Sequence, residues 1–334
     1  MSSVVLASPV DSVGSPVLWS VSILVLLGLL VADFIVTRRP HEVSMREAAG
    51  WSVFYLTLPV VFGLWLWTAF GGDRALEFLT GFVVEKSLSV DNLFVFMLLL
   101  AAFAVPAAVQ QRVLLYGIVG ALLLRGVFIA AGAALLAAGT WAFLVFGVVL
   151  LASGVKILHQ ASAGEGADKD VSRMRSVRLL RRLMPVTDDY RGVRMIVRER
   201  GRRALTPLAV VVVAVFATDV VFAVDSVPAV YGITEDPYLV FATNAFALLG
   251  LRALYFVLHS ALAKLVHLNH GLAIILGFIG VKLVLHWAHG LWPAVPEIPT
   301  PVSLAVIVAV LAAVTLTSLR TRRRAGHEAP VPRD

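Results

Sequence analysis

The sequence predicts an all-α polytopic membrane protein with about nine transmembrane helices. Of its 334 residues, 59% are hydrophobic and only 15% are charged, whereas a soluble domain carries roughly 25% charged residues. Apolar runs of about 20 residues recur along the chain, and this is the length that crosses a bilayer as a helix. The loops between these runs alternate between rich and poor in Lys and Arg, as expected for a chain that crosses a membrane repeatedly.

Hydropathy places nine predicted spans, and they divide the chain into five regions. The spans are 17–37, 49–70, 76–103, 113–137, 140–158, 206–232, 238–263, 270–288 and 301–319. The regions are an N-terminal two-helix region (1–75), a first three-helix repeat (76–158), a basic loop (159–205), a second three-helix repeat (206–290), and a final helix with a basic tail (291–334).

Loop charges predict the orientation of the chain. The loop 159–205 carries twelve Lys or Arg residues, and four Arg residues follow the ninth span. Because cytoplasmic loops collect Lys and Arg, we expect the N-terminus outside and the C-terminus inside. The same rule accounts for the basic loop, so no nucleic-acid partner is predicted. Within the loop, residues 195–205 predict a short hairpin with Gly201 at the turn.

Two acidic pairs lie deep inside apolar runs. Glu85 and Asp91 occur in the third span, and Asp219 and Asp225 occur in the sixth. A carboxylate at membrane depth is expensive and marks a functional site by default. In each pair, Val precedes the second acid and a small polar residue follows it, which indicates one site built from two related halves.

The pairs belong to an apparent internal repeat. Three features recur in the same order: the acidic pair, then Leu124-Arg125 and Leu251-Arg252, then Gly-Val-Lys at 154–156 and 280–282. Each unit has three spans, so the second unit enters the membrane from the opposite side. This is the inverted repeat of secondary transporters, whose sites lie near the midplane between repeats.

The six-residue spacing within each pair leaves two alternatives. Residues six apart on an ideal helix point about 120° apart. Either the helix breaks locally, which Pro228 close to Asp225 would favour, or the two acids serve different neighbours.

The candidate ligands are hard oxygen donors. The four carboxylates predict a metal site, with Asn92, Ser226 and Asn244 as supporting polar residues. Such donors suit Mg²⁺, Ca²⁺ or Mn²⁺ rather than copper or zinc. Four neighbouring carboxylates must bind a cation or take up protons, which is the exchange that a cation/proton antiporter needs. The chain has no cysteine, which excludes disulfides and thiolate sites. No catalytic constellation occurs, so no enzyme activity and no permanently bound cofactor are predicted.

Three cations are candidate counter-charges: Arg125, Arg252 and Lys86. They are interpreted either as permanent structural ion-pair partners of the acids or as mobile charges that pair with the carboxylates when no metal is bound. The sequence alone favours the structural role for the arginines.

Several motifs resemble the TerC family of integral membrane proteins. They are residues 85–96 (EKSLSVDNLFVF), 197–207 (VRERGRRALTP), 217–230 (ATDVVFAVDSVPAV), 236–244 (DPYLVFATN) and 250–256 (GLRALYF). The resemblance covers roughly 15–320. It implies a bacterial inner-membrane protein, with links to manganese efflux and, more loosely, to tellurium resistance. It also implies functional roles for the four acids and for Asn92 and Asn244.

The resulting hypothesis is a transporter that exports a hard divalent cation, Mn²⁺ first among them, in exchange for protons. Its expected partners are the lipid bilayer, the cation and the proton. The alternative is a scaffold or subunit of a metal- or tellurite-stress complex, with loop 159–205 recruiting a cytoplasmic protein and the acids held in structural ion pairs.

Overall fold

A computed structural model describes residues 12–36, 45–162, 185–187, 189–199, 202–251, 254–255 and 267–327. The helices in these ranges are α1 (Pro16–Val36), α2 (Met45–Phe70), α3 (Gly72–Ala102), α4 (Ala107–Ala138), α5 (Trp141–Ser162), α6 (Pro207–Tyr231), α7 (Pro237–Leu249), α8 (Leu268–Leu291) and α9 (Thr300–His327). Two short strands, β1 (Ile196–Glu199) and β2 (Arg202–Leu205), lie between α5 and α6.

The fold is that of a polytopic α-helical membrane protein. Seven of the described helices are long and apolar enough to cross a membrane, namely α1, α2, α4, α5, α6, α8 and α9. Helix α3 is longer than most of them, at 31 residues, but includes the charged residues Glu85, Lys86 and Asp91. Helix α7 covers the first half of the predicted span 238–263, and most of the second half lies outside the described residues.

The boundaries of α6 and α7 follow from proline and acidic capping. Pro207 and Pro237 each stand in the first turn, where the missing N–H costs nothing. Asp236 accepts a hydrogen bond from the Tyr238 amide at 2.9 Å. The same buried carboxylate accepts from Ser12 Oγ and from the Val13 amide, both at 2.7 Å. Asp236 therefore ties the segment before α1 to the start of α7.

The predicted hairpin is confirmed and marks one end of the helix bundle. Strands β1 and β2 are antiparallel, with Ile196 opposite Leu205. Tyr190, just before the hairpin, donates to the Phe103 carbonyl at 2.7 Å and so attaches the loop to the end of α3. Burial raises the pKa of the Tyr190 phenol above its ordinary value, which keeps this donor protonated. We refer to this end as the hairpin end.

The opposite end is closed by contacts between α3 and the loop that follows α6. Thr234 donates to Glu77 Oε2 at 2.7 Å, and Arg74 bonds the same oxygen at 3.0 Å. Since Glu77 lies near the beginning of α3 and Thr234 just after the end of α6, the two acidic helices run antiparallel.

Helices α5 and α8 approach each other closely through glycines. A Cβ added at Gly147 would stand 2.9 Å from the Gly280 carbonyl oxygen, and one at Gly154 would stand 3.0 Å from the Ala273 carbonyl oxygen. Small residues at a crossing let membrane helices pack backbone against backbone, so this pair is held by direct main-chain contact.

Both acidic helices are continuous. Helix α3 runs without interruption through 85–91, and α6 runs through 219–225 and past Pro228. Proline removes one main-chain donor, so the Val224 carbonyl receives no N–H from residue 228, yet the helix continues to Tyr231. The broken-helix alternative therefore does not apply to these segments.

Candidate functional site: a buried polar centre

Four polar side chains from four helices meet in the middle of the bundle. Glu85 lies on α3, Arg125 on α4, Asp219 on α6 and Asn244 on α7, and none is more than 1% exposed. Burying charges at this depth is tolerated only when they are paired and hydrogen-bonded. Their common position, far apart in sequence, defines the polar centre of the protein.

Arg125 connects the members of this centre. Its Nη1 bonds Glu85 Oε1 and also donates to Asn244 Oδ1 at 2.6 Å. Its Nη2 lies 3.9 Å from Asp219 Oδ1, within ion-pair range. One guanidinium therefore joins one acid from each predicted repeat, and a single planar fork with several donors is suited to that task.

Two amides complete the surroundings of Arg125. Asn244 Nδ2 donates to the Val240 carbonyl at 2.9 Å, which aims its oxygen at the arginine. With the Asn92 amide turned so that its nitrogen donates to the Leu88 carbonyl at 3.1 Å, its oxygen accepts from Arg125 Nη2 at 3.2 Å. Both predicted amide residues thus supply oxygen atoms to the centre.

Several oxygen atoms at this depth remain without partners within the described residues. They are Glu85 Oε2, Asp219 Oδ2, and the hydroxyl oxygens of Ser226, Thr80, Ser89 and Thr243. A buried polar atom without a hydrogen bond costs roughly 1–3 kcal/mol, so each one requires a reason. Unsatisfied carboxylate oxygens are strong potential ligands for a hard cation.

Asp225 belongs to a separate environment. It is half-buried and accepts a hydrogen bond from Ser153 of α5, and Lys156 on the same helix is near enough to interact with it electrostatically. Asp219, by contrast, faces α4. The two acids of α6 therefore have different neighbours, as the second alternative for the six-residue spacing predicted.

Within the described residues, Lys86 and Ser226 form no ion pair or hydrogen bond with the acids of the centre. Lys86 donates to the Ala247 carbonyl of α7 at 3.2 Å, and its Nζ would lie 3.1 Å from a Cβ at Gly250. Ser226 is buried beside the acidic segment. Arg252 and the side chain of Asp91 lie outside the described part of the chain, so their predicted roles are not addressed by it.

Ser153, Thr80 and Thr243 were not among the residues predicted from sequence. Hydroxyl residues are common in membrane helices because they can bond their own backbone, so they carry little signal. The only hint was position: Ser153 precedes the Gly-Val-Lys motif, and Thr243 precedes Asn244.

Fold and site together define a multi-pass α-helical membrane protein with a charged, oxygen-rich centre. The family model described as "Integral membrane protein TerC family" matches residues 70–326. The chain belongs to the TerC family, which confirms the family predicted from the motifs.

Similarity to known proteins extends over almost the whole chain. An "Uncharacterized membrane protein STKORF319" of Myxococcus xanthus is 40% identical over 315 residues, 94% of this chain and 95% of the relative. The "Putative membrane-bound redox modulator Alx" of Escherichia coli K12 is 40% identical over 314 residues, 90% of this chain and 94% of the relative. An "Uncharacterized membrane protein MT2795" of Mycobacterium tuberculosis is 38% identical, covering 92% of this chain and 80% of the relative. No solved structure gives a significant match.

Proposed function

We propose that this protein is a secondary transporter that exports a hard divalent cation, with Mn²⁺ as the expected substrate, in exchange for protons. The observation that carries the proposal is the pair of buried carboxylates, Glu85 and Asp219, each with one oxygen lacking a partner within the described residues. Amide oxygens of Asn92 and Asn244 approach the same place. Carboxylate and amide oxygens together favour Mg²⁺, Ca²⁺ or Mn²⁺.

Arg125 is the counter-charge in this proposal. It bonds Glu85 and Asn244 and lies within ion-pair range of Asp219. Because a divalent cation would be held by the same two carboxylates and by the same Asn244 oxygen, Arg125 and the cation compete for these groups. Cation binding then requires the guanidinium to move away from Glu85, and cation release returns it.

Asp225 would be a second binding position for the cation along its path. It lies six residues beyond Asp219 along α6, away from the hairpin end, and its contacts are to α5 rather than to Arg125. Two binding positions with different neighbours would let a cation leave the centre in steps, and the carboxylate at each position would be protonated separately. Asp91, the corresponding residue of the first acidic pair, is assigned to the same role.

Packing of α5 against α8 supports the inverted repeat. The Gly-Val-Lys motifs pair residue 154 with 280, an offset of 126. By this offset, Gly147 corresponds to Ala273 and Gly280 corresponds to Gly154. The close contact between Gly147 and Gly280 therefore has a counterpart in the close contact between Ala273 and Gly154. A contact that maps onto another in this way is what a two-fold relation between the repeats would produce.

The proposed orientation has the hairpin end in the cytoplasm of a bacterium and the N-terminus outside its inner membrane. Exposed arginines at the hairpin end support this, namely Arg191, Arg194, Arg198 and Arg203. The opposite end carries the partly exposed acid Glu235 and the exposed acid Glu297. This asymmetry follows the positive-inside rule.

A flux measurement tests the proposal directly. The purified protein is reconstituted into liposomes, a proton gradient is imposed, and Mn²⁺ movement is followed with a metal-sensitive dye. Flux should depend on the gradient and should be lost in Asp219→Asn. This variant is preferred to Glu85→Gln because Asp219 is 3.9 Å from Arg125. Neutralising Asp219 therefore disturbs the buried ion pair between Glu85 and Arg125 less than neutralising Glu85 would.

Asp73→Asn provides the matched control, because Asp73 is an exposed acid in the first turn of α3. It should transport at the wild-type rate. Absence of Mn²⁺ flux in the wild type, or equal flux in Asp219→Asn and Asp73→Asn, would refute the proposal.

The scaffold alternative is favoured by one observation, the buried ion pair between Arg125 and Glu85, which a purely structural role for the acids predicts. Under this alternative, deletion of residues 163–184 abolishes cellular metal or tellurite resistance, and the wild-type protein shows no Mn²⁺ flux in liposomes. Under the transport proposal, resistance instead follows Asp219.

The name of the Alx relative attributes a redox role to that protein. The sequence contains no cysteine, so a thiol-based redox reaction would have to take place on another molecule.

A further inference from the structure

A second titratable cluster lies at the end of the bundle opposite the hairpin. His286, near the end of α8, sits between two carboxylates from two different loops. Its Nδ1 is 2.8 Å from Glu297 Oε1, in the loop between α8 and α9. Its Nε2 is 3.4 Å from Glu235 Oε1, in the loop between α6 and α7. The imidazole therefore bridges three elements that are separate in sequence.

This geometry requires a proton on the ring for both contacts to be favourable. A neutral imidazole has one N–H donor and one nitrogen lone pair, whereas the imidazolium donates from both nitrogens. A neutral ring that keeps the shorter bond to Glu297 would turn a lone pair towards the Glu235 carboxylate. That contact is then repulsive, and the two negative carboxylates have no charge between them.

Other charged groups surround His286, and Lys282 is near enough to Glu77 and Glu297 to interact with them electrostatically. Glu235, by contrast, has His286 as its ion-pair partner within the described residues. From α5, the Phe143 ring packs edge-on against the imidazole, with ring centroids 4.5 Å apart. From α8, Lys282 lines the same cavity. His289 Nδ1, on the same helix, lies at hydrogen-bond distance, 2.6 Å, from the Val295 carbonyl oxygen. From α3, Glu77 is held by Arg74 and Thr234.

The three residues of the cluster line a cavity of about 400 Å³. Tyr231 and Leu283 line it together with residues of both loops, including Thr234 and Ile298. A change in the distance between the loops changes access to this cavity. Tyr231 is also the last residue of α6, so the cavity adjoins the end of the helix that carries Asp225.

We propose that His286 is a proton-binding latch that closes the loops containing Glu235 and Glu297 over this cavity. With the proton bound, the imidazolium holds both carboxylates and the cavity is narrowed. When the proton leaves, the contact with Glu235 is lost first, because it is the longer of the two, and the loops separate. The latch is closed at low pH and opens as pH rises. It goes beyond the transport proposal and does not depend on it.

Thiol accessibility tests the latch without any transport measurement. Because the chain has no cysteine, Thr300→Cys, in the cavity lining, introduces a single reporter. Its labelling rate by a bulky thiol reagent is measured in nanodiscs between pH 5.5 and 8, with His286 and with His286→Gln. Comparing the two backgrounds at each pH cancels the ionisation of the thiol itself.

The expected result is faster labelling in the His286→Gln background at low pH, by about fivefold or more, the lower range of coupling between sites, with convergence at high pH. His289→Gln is the matched control, since that ring contacts a backbone carbonyl, and it should behave as the parent. Glu297→Gln retains the imidazole but removes its closest partner, and it should also label faster at low pH.

Labelling ratios that stay constant with pH in both His286→Gln and Glu297→Gln would overturn the latch. The same conclusion would follow if His289→Gln produced an equal effect. Size-exclusion chromatography of each variant establishes that it is folded before labelling. If the liposomes show no Mn²⁺ transport, the labelling result is unaffected. If the labelling contradicts the latch, the transport proposal is likewise unaffected.

Discussion

Glu85 of α3 and Arg125 of α4 form an ion pair with side-chain exposures of 0% and 1%. The pair joins the midpoints of two neighbouring helices and extends through the same guanidinium to Asn244 on α7 and towards Asp219 on α6. Desolvating two charges is costly, and the pair is stable only while both members remain. Variants of Glu85 and Arg125 can therefore separate the effect of this ion pair on stability from its effect on cation binding.

Arg125→Met should destabilise the protein more than Glu85→Gln does. The methionine leaves Glu85 and Asp219 without their shared cation, and breaking a buried pair in this way costs roughly 3–5 kcal/mol. Thermal unfolding in detergent measures the change. The double variant Glu85→Gln/Arg125→Met should recover part of the loss, because Glu85 is then no longer an unpaired charge, while Asp219 still lacks its cation.

The Arg125→Met protein also distinguishes the two roles considered for this residue. If Arg125 competes with the cation, added Mn²⁺ should raise the Tm of Arg125→Met by more than that of the wild type, since the cation takes the place of the guanidinium. Equal shifts in both proteins would indicate a structural pair alone.

Asp225→Asn should reduce Mn²⁺ transport while leaving stability almost unchanged. Asp225 is half-buried with Ser153 as its hydrogen-bond donor, and an asparagine oxygen can accept the same bond. Loss of the charge should weaken the apparent Mn²⁺ affinity by roughly tenfold or more, given about 1.5–3 kcal/mol for interactions of a charged group. Liposome flux at varied Mn²⁺ gives the affinity, and thermal unfolding gives the stability.

Ser153→Ala is the companion to that variant. It keeps the carboxylate but removes the donor, so the effect on apparent affinity should be in the same direction and smaller. A loss of transport in Ser153→Ala that exceeds the loss in Asp225→Asn would contradict the assignment of Asp225 as the ligand.

Gly147→Ala should destabilise the contact between α5 and α8. The new methyl group would stand 2.9 Å from the Gly280 carbonyl oxygen and 2.7 Å from Val284 Cγ2, and overpacking of this kind costs about 1–3 kcal/mol. Gly277→Ala on α8 is the control, because a Cβ there meets no atom within 4 Å. Thermal unfolding should show a lower Tm for Gly147→Ala and an unchanged or higher one for Gly277→Ala.

The positions of the helices could be predicted because each apolar run must satisfy its backbone internally once it enters the bilayer. The predicted ends were several residues short in places: α4 begins at Ala107 rather than 113, and α5 continues to Ser162 rather than 158. Helical hydrogen bonding extends beyond the apolar run into the polar interface, where hydropathy no longer signals it.

The central residues were recognisable because a charge inside an apolar run is conspicuous. Glu85, Arg125, Asp219 and Asn244 were all predicted candidates, and the structure brings these four together. Sequence gives the depth of a residue along its helix but not the rotation of that helix, so it could not tell that Arg125 faces Glu85 while Lys86 faces the Ala247 carbonyl.

Other features had no sequence signal. The spacing of Asp219 and Asp225 left a broken helix and separate neighbours equally open, and the continuous α6 selects the second. His286 lies near the end of an apolar run, where histidine is ordinary, and its partners are 51 and 11 residues away. Only the folded arrangement of the two loops brings them to it.

The glycine contacts between α5 and α8 also limit how this protein can move. Where two helices meet through side chains, a change of rotamers lets one roll or slide against the other. Where carbonyl oxygens of one helix rest on the glycines of its neighbour, as at Gly147 and Gly280, the main chains are in direct contact, and a change of rotamers makes little room for such a displacement. The two helices are therefore expected to move as one body, and a rearrangement that shifts them relative to the polar centre would occur along their boundary with α3, α4 and α6.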